Sequence, residues 1–203
     1  MIMKNFLFIA LFLFSLQMTS QNDYKIEIND TILEIALDKQ YDILINGKKI
    51  KFKVSSKDTL VYDNGTYSFK YPKDFKVSKM NIDEGIDQIM LMTAEGSGVL
   101  IQRYSTMNPT MLNGMMLNEV TKESLNYGYQ MKKENYSKIL KSGQEIKIEK
   151  AILTYKDEVN IYEIASIGKK DEGILIMTMM MDDEMSSQGK KLIKMLWNSL
   201  YYK

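Results

Sequence analysis

The most restrictive feature of this chain is a series of three long apolar-rich segments joined by very short polar links. The segments cover residues 146–155, 159–167 and 174–181. Links this short allow antiparallel pairing only, because a parallel crossover needs a dozen or more residues. Apart from Thr178, the third segment is apolar, which is typical of a central strand covered on both faces. The pattern therefore predicts an antiparallel sheet with residues 174–181 near its middle.

Two further hairpins are predicted upstream of this series. Residues 59–62 and 66–72 flank Asp63-Asn64-Gly65, and Pro72 ends the second of these strands because it has no N–H to donate. Residues 86–93 and 99–104 flank a turn at 94–98 that contains two glycines. Both pairs add antiparallel strands to the fold.

Two helices are predicted between and after these strands. Asn108 and Pro109 form a helix-start signal, and Gly128 is a plausible stop. The expected buried stripe of this helix contains Leu112, Met116 and Val120, with Met115 beside them. A last helix is predicted from about Asp183 to Leu200, with a buried stripe of five residues: Leu192, Ile193, Leu196, Trp197 and Leu200.

The order of these elements sets the fold class. Strands, a helix, more strands and a last helix predict an α+β protein with a largely antiparallel β-sheet packed by two main helices, an α/β/α-type sandwich. Residues 21–58 precede this arrangement and contain the hairpin signal Asn46-Gly47. We expect them to form an N-terminal β-strand and hairpin extension, a β-meander, ahead of a domain at 59–203.

The first twenty residues carry an export signal. Lys4 is followed by the apolar run 6–14 and by small or polar residues up to Ser20. This arrangement is typical of a secretory signal peptide at 1–20. An uncleaved anchor is the alternative, but the run is shorter than the roughly 20 apolar residues that a span needs. We therefore expect an exported protein, periplasmic or extracellular, with no stable membrane span after cleavage.

Composition removes several classes of function. The chain has no His and no Cys, which excludes disulfides, thiolate or His metal centres, and nucleophile pairs that depend on either residue. The formal net charge is +1, and Arg103 is the only arginine. A nearly neutral surface poor in Arg does not favour nucleic acid. No cofactor is expected.

One segment carries a family resemblance. Residues 66–75, Thr-Tyr-Ser-Phe-Lys-Tyr-Pro-Lys-Asp-Phe, resemble the Y-x-F-x-Y-P-x-x-(F/W) opening of the PsbP-like superfamily. That superfamily includes PsbP itself, Ran-binding Mog-type proteins, LpqN-type lipoproteins and DcrB-type envelope proteins. The element order over residues 59–201 is also similar. The resemblance implies an antiparallel sheet between helices and a role in binding, assembly or adaptor functions. It implies no catalytic residue.

Several residues are candidates for a binding surface. Arg103 could hold a carboxylate or phosphate through its planar fork, or make an ordinary ion pair. Tyr104 is its neighbour, and Met107, Met111 and Met115 follow at four-residue spacing. Methionine thioethers are soft ligands for Cu(I), but methionine also fills cores and lines adaptable grooves. A second methionine cluster, at 177–181, looks like core.

Three functions follow from these observations. The first is a non-enzymatic binding, assembly or adaptor protein of the bacterial cell envelope, whose partner is another envelope protein. The second is a carrier of a small apolar ligand or of Cu(I) through methionine-rich surfaces. The third is a hydrolase without His or Cys, which requires a pocket that holds a carboxyl group of raised pKa.

Overall fold

The computed structural model describes residues 24–28, 31–45, 47–181 and 187–203. The signal peptide prediction lies outside the described residues, as does Asn46 of the first hairpin signal. The chain divides into two compact units, one ending at Lys57 and one running from Asp58 to Lys203. No helix in the described ranges is long and apolar enough to cross a membrane.

The N-terminal unit contains two hairpins. Strands β1 (Tyr24–Ile28) and β2 (Thr31–Ile35) pair with each other, and so do β3 (Gln40–Ile45) and β4 (Lys48–Lys53). The continuous meander predicted for this region was therefore wrong: the hairpins form separate two-stranded sheets. In the link between them, the Asp38 N–H donates to the Val54 carbonyl 2.8 Å away, beyond the end of β4.

The C-terminal unit contains ten strands and two α-helices in its described residues. The strands are β5 (Thr59–Asp63), β6 (Tyr67–Pro72), β7 (Ser78–Asp83), β8 (Ile86–Met92), β9 (Gly98–Tyr104), β10 (Gln130–Ile139), β11 (Glu145–Tyr155), β12 (Glu158–Gly168), β13 (Gly173–Met181) and β14 (Tyr201–Tyr202). The helices are α1 (Asn113–Tyr127) and α2 (Ser187–Ser199). All pairings are antiparallel, so the predicted α+β class with a largely antiparallel sheet is confirmed.

The main sheet has seven strands in the order β10-β11-β12-β13-β9-β8-β7. Strand β13 is therefore the fourth of seven, and its first six residues are buried. This confirms the prediction that residues 174–181 form a central strand. A second sheet has the order β14-β6-β5.

Two buried clusters lie on the two faces of the main sheet. Alternation along β9 sends Val99 and Ile101 to one cluster and Tyr104 to the other. The first cluster also contains Tyr67 and Phe69 of β6 and the predicted stripe of α2, in which Leu192, Leu196, Trp197 and Leu200 are buried and Ile193 is half-buried. The second contains Leu117 of α1.

Helix α1 begins later than the sequence predicts. Asn108 accepts a hydrogen bond from the Thr110 N–H at 3.0 Å, as expected of a cap, but residues Pro109–Met111 form a 3-10 turn and the α-helix starts at Asn113. Pro109 packs against the β12–β13 turn, where a Cβ on Gly173 would lie 2.5 Å from its Cδ. Gly128, with φ of 115°, ends the helix as predicted.

The buried stripe of α1 is also displaced by one position. The fully buried residues are Leu117 and Thr121, whereas Met116 is half-buried and Met115 is exposed. Asn113 belongs to the same stripe and accepts a 2.6 Å hydrogen bond from Ser166 of β12. Two of the three buried residues of α1 are thus polar. A prediction based on the spacing of apolar residues does not find them.

Candidate functional site

The candidate site is a cleft beside Arg103, on the face of the main sheet that also contacts α2. Arg103 lies on β9 directly opposite Asp87 of β8. Residue alternation sends both side chains to the face that holds Ile101 and Ile89 in the first buried cluster. On this face, Arg103 and Asp87 therefore place a pair of opposite charges next to the buried apolar residues, at the cleft.

The two charges form an ion pair. Arg103 Nη2 lies 2.5 Å from Asp87 Oδ2, and Asn81 of β7 donates to Asp87 Oδ1 over 3.4 Å. The hydrogen bond from Arg103 lowers the pKa of the Asp87 carboxyl group, and the one from Asn81 adds to this effect. Asp87 therefore stays ionised at neutral pH and holds the guanidinium in place.

Aromatic residues form the opposite wall of the cleft. Tyr62 of β5 and Tyr67 of β6 are hydrogen-bonded through their hydroxyl groups, with ring centroids 5.7 Å apart. Burial raises the pKa of both hydroxyls, and the neighbouring Tyr62 raises that of Tyr67 further. Both groups stay neutral at physiological pH, so they serve as hydrogen-bonding groups and not as bases.

The cleft encloses about 360 Å³ between these walls. Its lining combines polar groups with apolar surface and comprises Tyr62, Asn64, Tyr67, Lys79, Met80, Asn81, Asp87, Gln88, Ile89 and Arg103. Lys79 Nζ lies 5.3 Å from the centroid of the Tyr62 ring, a cation–π distance. Two cations and one carboxylate leave the lining with a net positive charge.

Arg103 keeps unused hydrogen-bonding capacity. Its Nε is buried and has no hydrogen-bond partner among the residues that the structure describes. The side chain as a whole is 35% exposed, so part of it faces solvent. Because a guanidinium presents five donors in a planar fork, a carboxylate or phosphate entering the cleft would find donors that Asp87 does not occupy.

The five residues predicted as a binding surface do not come together. Arg103 lines the cleft, but Tyr104 points to the other face of the sheet, is 6% exposed and donates to Gln102 Oε1 at 2.7 Å. Met107 is half-buried beside the α1-side cluster. Met111 and Met115 are exposed on the 3-10 turn and on α1. Strand alternation separates Arg103 from Tyr104, and the late start of α1 breaks the four-residue spacing of the methionines.

Sequence reasoning missed the partners of Arg103. Tyr67 belongs to the motif at 66–75, but nothing in that motif linked it to an arginine 36 residues later. Asp87 could have been found from the hairpin register, since Asp87 and Arg103 both lie eight residues from Glu95 at the turn. Lys79 and Asn81 lie on β7, a strand that the sequence did not predict.

The carboxylates elsewhere do not form a metal centre. In the described part of the chain, no group of three or more Asp or Glu residues is placed to hold a metal ion. Asp157 and Glu158 lie at the β11–β12 turn, where Glu158 accepts a hydrogen bond from Tyr129. Residues 182–186, which include the run Asp182-Asp183-Glu184, lie outside the described residues.

Comparison with known proteins finds similar chains among the solved structures. No family model matches the chain, and no curated protein matches it. The fold and the cleft define an α+β protein of antiparallel sheets with a polar cleft at the edge of the main sheet. The chain is similar to the solution structure of cyanobacterial PsbP (CyanoP) from Synechocystis sp. PCC 6803, with 13% sequence identity over 72% of this chain and 93% of that one, and a TM-score of 0.46.

Proposed function

We propose that this protein is an exported, non-enzymatic binding or assembly protein of the bacterial cell envelope, and that the Arg103 cleft holds its partner. The observation that carries the proposal is the unused capacity of Arg103 inside a polar cleft with a net positive charge. We also propose a PsbP-like α/β/α architecture for residues 59–203. The motif at 66–75 and the order of strands and helices support it.

The partner is another envelope protein that presents a carboxylate, either on a side chain or at its C-terminus. A carboxylate matches the guanidinium fork in shape and charge. Tyr62 and Tyr67 add neutral hydrogen-bonding groups and aromatic area, which are typical of protein-binding surfaces. Asp87 keeps the fork oriented before the partner arrives, which reduces the entropy lost on binding.

The enzyme alternative has less support. Acid–base chemistry with carboxylates needs a group whose pKa is raised into the neutral range. Among the carboxyl groups that the structure describes, hydrogen bonds lower the pKa of Asp63, Asp87 and Glu134. A binding role fits carboxylates that stay ionised.

Photo-crosslinking in cells tests this proposal. A photoreactive amino acid replaces Met80, which lines the cleft and is 55% exposed, in the full-length protein. The matched control carries it at Met111, which is more exposed and lies on the 3-10 turn. We expect one prominent protein adduct from position 80, its loss on Arg103→Gln, and no such adduct from position 111. An adduct that persists with Arg103→Gln would contradict the proposal.

A further inference from the structure

Strand β10 forms an open edge of the main sheet. It is the end strand of the seven-strand order, and it pairs with β11 alone among the strands that the structure describes. All ten residues pair with β11 without a register shift, and the strand contains neither proline nor glycine. The other edge strand, β7, has a shift between Asn81 and Asp83, the kind of irregularity that interrupts an edge. Regular β10 can therefore accept a further antiparallel strand.

The outer side of β10 is accessible at its middle, where residues 135–137 are all exposed. The Tyr136 ring lies back across β11, because its hydroxyl donates to Glu163 of β12 at 2.8 Å. The Lys133 ammonium is likewise held by Asn118 of α1, at 3.0 Å. Both long side chains are thus directed toward the body of the protein, and they leave free the N–H and C=O groups that β10 directs away from β11.

A second copy of β10 can pair with this edge about a two-fold axis. In an edge strand, alternate residues direct their N–H and C=O groups outwards, so two residues that lie opposite each other must belong to the same alternate set. In a two-fold pair, this condition is met only when one residue lies opposite its own copy. The allowed registers are therefore those centred on a residue.

The charges of β10 favour one of these registers. Centring the pair on Tyr136 places Glu134 opposite Lys138 of the second copy, and the symmetry repeats this contact. Centring it one residue earlier places Lys132 opposite Lys138, and centring it on any of residues 132–134 places a charge opposite its own copy. The same charges that oppose indiscriminate pairing of an edge thus permit a single arrangement.

We propose that this protein forms a two-fold dimer in which β10 pairs antiparallel with β10 of a second copy, with Tyr136 at the axis. The pairing joins the two seven-stranded main sheets into one continuous sheet. It gives a partner to Lys138, which has no ion-pair partner among the described residues of one chain. The interface uses no residue of the Arg103 cleft, so the dimer presents two such clefts.

Disulfide cross-linking tests the register. The chain has no cysteine, so a single introduced thiol reports on one position. Directly opposed residues have Cα atoms about 4.5–5.5 Å apart, within the range that disulfides span. We expect full-length Tyr136→Cys to give a disulfide-linked dimer under mild oxidation. The control Lys132→Cys, exposed on the same face of β10, should not, because Lys132 lies opposite position 140 of the second copy. Equal cross-linking at both positions would overturn the register.

Charge reversal tests the dimer without cysteine. Sedimentation velocity over a concentration series compares the wild type, E134K, K138E and E134K/K138E. Each single change turns two opposite-charge contacts into two like-charge contacts, so the dimer dissociation constant should rise at least about tenfold. The double variant restores opposite charges and should recover most of the affinity.

The choice of single variant keeps the result decisive. E134K also removes contacts of Glu134 within its own chain, with Lys132 at 2.9 Å and Lys150 at 3.5 Å. K138E removes no such contact, so its thermal unfolding should match that of the wild type at protein concentrations where both are monomeric. A wild type that stays monomeric at every concentration, or a K138E dimer as tight as the wild type, would overturn the proposal.

Discussion

Trp197→Phe should destabilise the C-terminal unit through one identifiable hydrogen bond. Trp197 is 5% exposed, and its Nε1 donates to Glu163 Oε2 at 3.1 Å, joining α2 to β12. Thr178 and Tyr136 donate to the same carboxylate, at 3.0 and 2.8 Å. Phenylalanine keeps most of the aromatic surface and removes the N–H donor. The change therefore isolates the contribution of the indole–carboxylate contact.

The size of the destabilisation expected for Trp197→Phe follows from the burial of the ring and from the charge of its acceptor. A hydrogen bond to a charged group contributes about 1.5–3 kcal/mol, and half-buried Glu163 points to the lower end of that range. The lost ring atoms add about 1 kcal/mol of transfer free energy. We expect the free energy of unfolding to fall by about 2.5 kcal/mol, from the lower-end hydrogen bond plus the transfer term. Lys194→Ala, an exposed change on the same helix, should stay within about 0.5 kcal/mol.

A double-mutant cycle separates the hydrogen bond from packing. Urea unfolding followed by far-UV circular dichroism is measured for Trp197→Phe, for Glu163→Ala, which removes the acceptor, and for the double variant. Residues that share a hydrogen bond couple by about 0.5–3 kcal/mol. Coupling indistinguishable from zero would refute the reasoning, even if Trp197→Phe were destabilising, because the loss would then come from packing alone.

The remaining predictions concern packing and pH. Leu117→Ala should cost about 2–5 kcal/mol because the side chain is fully buried, whereas Leu125→Ala, on the exposed side of α1, should cost far less in the same urea titration. Gly173→Ala should lower the unfolding midpoint, since the new Cβ would lie 2.5 Å from Pro109 Cδ; an unchanged midpoint would contradict this contact. The Arg103 hydrogen bond lowers the pKa of Asp87, so this carboxylate stabilises the fold above its unfolded-state pKa of about 3.9, and the stabilisation is lost as pH falls through the lower folded-state pKa. Unfolding curves at pH 6 and pH 2.5 should therefore differ less for Asp87→Asn than for the wild type.

The central strand and the last helix could be predicted because their signals are local and strong. Residues 174–181 are apolar on both faces, which only a covered central strand explains. The stripe of α2 follows a helical period with large apolar residues and one tryptophan. In both elements, the residues that carry the pattern are the ones that the fold buries.

The elements that the sequence did not predict lack a strong local pattern. Strand β7 is exposed at all six positions, so no apolar alternation reveals it. Strand β14 has two residues and exists only because it pairs with β6. The start of α1 depends on how Pro109 fits against Gly173, a contact between residues 64 positions apart. These features are set by tertiary packing, which a pattern in one segment does not contain.

The residues of the candidate site were likewise predicted only in part. The sequence singled out Arg103 because it is the only arginine, but the residues around it in the cleft come from four other strands. Tyr104 and Met107 were grouped with it by proximity along the chain, and alternation in β9 sends Tyr104 to the other face. Residues close in sequence were therefore a poor guide to the cleft, whereas the hairpin register would have been a good one.

A quantitative affinity purification tests the central claim most directly. Tagged full-length protein is recovered from cross-linked envelope extract and compared with Arg103→Gln, Arg103→Lys and the control Lys147→Gln, an exposed cation on β11 outside the Arg103 cleft. One partner protein should be enriched with the wild type and with Lys147→Gln, and lost with Arg103→Gln. It should also be largely lost with Arg103→Lys, since lysine keeps the charge but not the planar fork. Equal recovery of the same proteins by all four variants would contradict the assignment of the Arg103 cleft as the binding site.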